Sequence, residues 1–122
     1  MSAIIDTLAN AYTAGTTFEA DGNGSVHPHD YDAQREFVDA HPITNGSWQV
    51  HDDERVEDKL TPEWENVMFL HYEDTSYYLR DVNFKKAQEA ILANPGVYAV
   101  ETFLVGRDGF LGTHLLRFVG TR

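Results

Sequence analysis

The side chains whose types and spacing suit chemistry fall into three sets. His27, His29 and Asp32 form the first. In an extended segment the two histidines fall on one side, and two neutral imidazoles with a carboxylate satisfy zinc or another transition metal. His71, Glu73 and His114 form the second. His71 and Glu73 share one face of a strand, and His114 joins them if the strands at 67–72 and 110–119 are neighbours, giving an acid–base pair or a metal site. The third is Asp52-Asp53-Glu54-Arg55-Val56-Glu57-Asp58, five carboxylates in seven residues, with Trp64 close behind. Such a face suits a basic surface on a protein partner, with rim charges raising the association rate and an aromatic as anchor.

Other chemistry finds less support. Asp21, Asn23 and Ser25 alternate like the oxygen ligands of a calcium loop, but Val26 stands where that loop needs Gly and Asp32 where it needs a bidentate Glu. With no cysteine there is no disulfide framework, thiolate nucleophile or Cys-based zinc site. The chain has no Gly-x-Ser-x-Gly elbow, and Gly22-Asn23-Gly24 lacks the Lys of a phosphate-binding loop. No cofactor is expected.

The charge balance narrows the partners. Twenty Asp and Glu against nine Lys and Arg leave a net charge of −11 on 122 residues. Residues 1–80 carry 16 of those carboxylates and only four of the cations, so the negative field belongs to the N-terminal two-thirds. This field repels phosphate backbones and anionic lipid, which argues against direct nucleic-acid binding and against a membrane surface. No apolar run approaches the roughly 18–20 residues of a membrane span, and the start of the chain lacks a secretory signal pattern, so a cytoplasmic location is expected. At 42 % hydrophobic residues the chain is too apolar for a disordered acidic tail, and its length fits a single domain spanning 1–122.

The elements that must position these residues follow from periodicity and punctuation. Ile4, Ile5, Leu8, Ala11 and Tyr12 line one face of a helix over 3–12, and residues 20–30 read as an exposed loop. Asp30 caps a helix from Tyr31 to about Ala40, closed by His41-Pro42, with Phe37 and Val38 inward. Trp48 and Val50 share a strand face, and Thr61-Pro62-Glu63-Trp64 predicts one helical turn. A strand over 67–72 pairs with 77–80. A helix follows with Phe84, Ala87 and Ile91 as its stripe, ended by Asn94-Pro95-Gly96. Strands over 97–105 and 110–119 flank Gly106-Arg107-Asp108-Gly109, a hairpin signal.

Hairpins separated by one helix imply an α+β fold: a two-layer sandwich, a mainly antiparallel sheet of about five strands with helices packed on one face. The reading that follows is a non-enzymatic accessory or inhibitory protein, of a kind that viruses and mobile elements encode. It binds a basic protein surface through Asp52, Asp53, Glu54, Glu57, Asp58 and Trp64. The rival readings are a metalloprotein or enzyme built on the histidine sets, and a homodimer paired through apolar strand edges.

Overall fold

The sheet grows from its C-terminal hairpin, where β-branched and aromatic residues give two long strands. β5 (Gly96–Val105) pairs antiparallel with β6 (Phe110–Phe118) in an unbroken register from Tyr98 opposite Arg117 to Val105 opposite Phe110. The computed structural model describes residue 4 and residues 16–43, 60–73, 78–79, 81–105 and 110–120. Those residues hold β1 (Thr16–Ala20), β2 (Val26–Pro28), α1 (Tyr31–Ala40), β3 (Trp64–Glu73), β4 (Tyr78–Leu79) and α2 (Asp81–Ala93) besides the hairpin. The strands make one sheet in the order β2-β1-β5-β6-β3-β4, and every pairing is antiparallel. The fold is thus α+β, with six strands among the described residues, two of them short edges. No helix among the described residues is long and apolar enough to cross a membrane.

Successive residues of a strand point to opposite faces, and the two hydrophobic clusters divide on that alternation. Tyr98, Val100 and Leu115 pack with Phe18, Ile4 and the α2 stripe Phe84, Ala87 and Ile91. Their neighbours Ala99 and Leu116 pack with Trp64 and Ile43, and Phe37 of α1, Leu60 and Phe118 close over them. Among the described residues, α2 and Ile4 cover the first face and α1 covers the second. In this respect the packing differs from helices on a single face, because a helical stripe says that a face is buried and not which side of the sheet buries it.

Two further differences have local causes. Residues 20–30 form a hairpin rather than a free loop. The Asp21 carboxylate accepts from the backbone N–H groups of Asn23 (2.8 Å) and Ser25 (3.1 Å), Gly24 takes the left-handed φ of +89°, and β2 returns with His27 opposite Glu19. A three-residue strand is too short to show a period of two. At Thr61, the expected turn closes once, Trp64 N–H to the Thr61 carbonyl at 3.2 Å, and β3 starts at Trp64 rather than 67. The β3 register shifts between Asn66 and Met68, and Val67 and Met68 both pack toward the α2 cluster. A bulge of this kind hides strict alternation in the sequence.

The expected helix over 3–12 and the Trp48 strand lie outside the described residues, Ile4 excepted.

Candidate functional site

α1 begins where Asp30, in extended conformation, turns its carboxylate onto the Ala33 N–H at 2.7 Å. That bond satisfies one of the donors a helix start leaves unpaired. The helix ends at Ala40, the His41 N–H donating to the Phe37 carbonyl at 2.9 Å before Pro42. Here the chain meets the start of β3. Thr61 N–H donates to the Ile43 carbonyl (3.1 Å), the Thr61 hydroxyl to the Pro42 carbonyl (2.6 Å) and the Trp64 indole N–H to the His41 carbonyl (2.8 Å).

Within this junction the imidazole of His41 donates from Nδ1 to Oε2 of Glu63 at 2.7 Å. Its ring lies 5.0 Å from the Phe37 ring and 4.7 Å from Phe118, and Trp64 meets Phe118 edge-on at 5.4 Å. Both side chains of the pair keep about a quarter of their surface, 26 % and 24 %, so water still reaches them. The pair therefore contributes about 1 kcal/mol, near the value of exposed ion pairs rather than of fully desolvated ones. It is a clasp between α1 and β3.

The residues expected to act are distributed as follows. Asp52, Asp53, Glu54, Glu57 and Asp58 lie outside the described residues. Trp64 is buried at 3 % exposure with its indole N–H committed to His41, so it belongs to the core and presents no anchor to a partner. His27 is exposed on β2, and Asp32 is exposed in the first turn of α1. His29 is half-buried, its Nδ1 2.7 Å from the hydroxyl of the fully buried Thr17 and its ring 5.8 Å from Phe37. These three do not gather: among the described residues no group of three or more His, Asp or Glu side chains is placed to hold a metal ion.

β3 and β6 are neighbours, as the second set requires. His114 is buried, at 1 %, lies opposite Phe69 on β3 and Glu101 on β5, and has Nδ1 3.1 Å from the Asn66 amide oxygen. His71 is paired with Gly112, two ladder positions from His114, and Glu73 with Tyr78 on β4.

The exposed side of α1 carries the clearest charge among the described residues. Asp30, Asp32, Glu36 and Asp39 are all exposed, with Arg35 between them. Tyr31 is 68 % exposed; its hydroxyl accepts from Arg35 at 3.1 Å, and the guanidinium lies 5.7 Å from its ring centre. The Tyr31 hydroxyl, with Asp39 nearby, holds the Arg35 guanidinium above its ordinary range, so that cation stays charged. An aromatic braced by an arginine thus stands among exposed carboxylates on one helix.

The described residues thus form an α+β fold with a clasped α1–β3 junction and an acidic outer surface on α1. No protein-family model, curated protein or solved structure matches the chain. The clasp has no signature in the sequence: His41 stands out only as a helix stop, and 22 residues separate it from Glu63 with no shared period.

Proposed function

We propose that this protein is a small non-enzymatic module that binds a partner protein bearing a basic surface, as an accessory or inhibitory factor. The observation that carries the reading is the outer surface of α1, where four exposed carboxylates surround Tyr31 and Arg35. The run Asp52, Asp53, Glu54, Glu57 and Asp58 adds five further carboxylates to the net charge. A negative field steers a cationic partner into encounter and weakens as salt screens it over about 8 Å at physiological ionic strength.

The test compares capture from one cell extract by the wild-type chain, by an Asp32→Lys/Glu36→Lys/Asp39→Lys variant and by an Asp52→Lys/Asp53→Lys/Glu57→Lys variant. A partner retained by the wild type at low salt is expected to be lost from at least one variant, and from the wild type at high salt. Retention of every captured protein by both variants overturns the reading.

A second reading, a metal or acid–base site on His71, Glu73 and His114, is favoured by the adjacency of β3 and β6. Zinc titration of untagged protein distinguishes it: binding that disappears in His114→Gln supports the site, and the absence of binding removes it.

A further inference from the structure

We propose that Asn23 is a site of spontaneous covalent modification, converting through a cyclic imide to aspartate and isoaspartate in the turn between β1 and β2. The inference rests on three features of that turn and is independent of the binding reading.

First, Asn23 is followed by Gly24, which has no side chain to shield its backbone nitrogen, and Asn23 itself is exposed. Second, the backbone N–H of Gly24 and the side-chain amide of Asn23 take part in none of the hydrogen bonds among the described residues. The bonds of the turn instead join the Asp21 carboxylate to the Asn23 and Ser25 N–H groups, and Asp21 N–H to the Ser25 carbonyl at 3.0 Å. Third, the adjacent Asp21-Gly22 pair, which can form the same ring, is protected by those bonds. Oδ1 of Asp21 is occupied by two N–H donors, and a carboxylate is a poorer electrophile than a carboxamide. The turn thus favours the amide of Asn23 over the acid of Asp21.

The step needs only water. The Gly24 nitrogen, losing its proton to solvent base, bonds to Cγ of Asn23, and the side-chain nitrogen leaves as ammonia after taking up a proton. Water then opens the ring. Attack at Cγ breaks the new Cγ–N bond and leaves aspartate; attack at the backbone carbonyl breaks the original peptide C–N bond and leaves isoaspartate, with the main chain running through Cβ and Cγ. Nothing is oxidised or reduced. Either product adds one negative charge to a chain already at −11.

Isoaspartate also lengthens the backbone of a turn that packs on the end of α2. An added Cβ at Gly22 would stand 3.5 Å from the Pro95 side chain, and one at Gly24 3.8 Å from Leu92. The modified turn is therefore expected to loosen the β1–β2 pairing that sets His27 opposite Glu19.

The test incubates the full chain at mildly alkaline pH and follows each asparagine peptide by mass spectrometry, chromatography resolving aspartate from isoaspartate. The Asn23 peptide is expected to gain about 1 Da, as two resolved products, several-fold faster than the Asn94 peptide. Asn94 is an internal standard because Pro95 has no N–H with which to attack. Asn23→Ser abolishes the gain at this position, and Gly24→Ala slows it. Conversion of Asn23 no faster than of Asn94, or products that arise at Asp21 instead, overturns the proposal. Because Asn23→Ser leaves the Asp21 bonds to the backbone in place, its folding is checked separately by far-UV circular dichroism.

Discussion

Nδ1 of His41 lies 2.7 Å from Oε2 of Glu63, joining the residue that ends α1 to the residue before β3. Because both groups are partly hydrated, their coupling is modest. A double-mutant cycle with His41→Ala and Glu63→Ala, measured by urea unfolding, is expected to return about 1 kcal/mol of interaction. His41→Ala alone costs more, about 2 kcal/mol, since it also strips a ring from between Phe37 and Phe118. A coupling indistinguishable from zero would show that the rings alone hold the junction.

Asp30 offers a cleaner local test. Its carboxylate accepts from the Ala33 N–H, and α1 buries no residue completely, so the helix depends heavily on its cap. Asp30→Ala is expected to lower stability by about 1 kcal/mol and Asp30→Asn by far less, because an amide oxygen still caps. Equal losses in both variants would point to charge, through the helix dipole, rather than to the hydrogen bond.

Tyr98 is expected to weaken the fold at alkaline pH. Burial pushes its phenol above the ordinary value of 10.0, Arg117 opposing and Glu65 adding to the effect, while the hydroxyl donates to the Asn94 carbonyl. The unfolded chain ionises first. The contribution of Tyr98 is therefore complete below pH 10.0 and declines as pH rises from there through the folded-state value. Tyr98→Phe is expected to cost about 1 kcal/mol at neutral pH and to flatten the fall in melting temperature above pH 10.0. An unchanged alkaline slope would place the limiting titration elsewhere.

Ile91 is fully buried at the C-terminal end of the α2 stripe. Ile91→Ala removes three buried carbons and leaves a cavity, with an expected cost of about 3–4 kcal/mol. Chemical denaturation checks this, and a midpoint shift much smaller than that of His41→Ala would mean that α2 contributes little to the core.

Much of the helical framework was legible before any tertiary structure. Phe84, Ala87 and Ile91 fall three and four residues apart, the spacing that brings side chains to one helix face, and all three are buried. Asp30 as a cap, Asn94-Pro95-Gly96 as a stop and the strands flanking 106–109 rest likewise on signals within a few residues. The β1–β2 hairpin was not legible, because its closure depends on a carboxylate reaching two backbone N–H groups across a turn of loop-forming residues. Of the candidate site, the sequence marked Asp30 only as a cap and Asp32 only as a metal ligand, and the shared exposure of the α1 charges came from the fold; Trp64, which reads equally as anchor or core, could not be assigned either.

What the chain determines by itself is therefore local: where helices start and stop, which residues share a face, and a net charge concentrated ahead of Asp81. Which face of the sheet each helix covers, and that His41 meets Glu63 while His27, His29 and Asp32 stay apart, only the tertiary structure decided. The physical reason is that periodicity marks a side chain for burial without naming its neighbour. Strand order and the bulge at Val67 then choose that neighbour from residues distant in sequence.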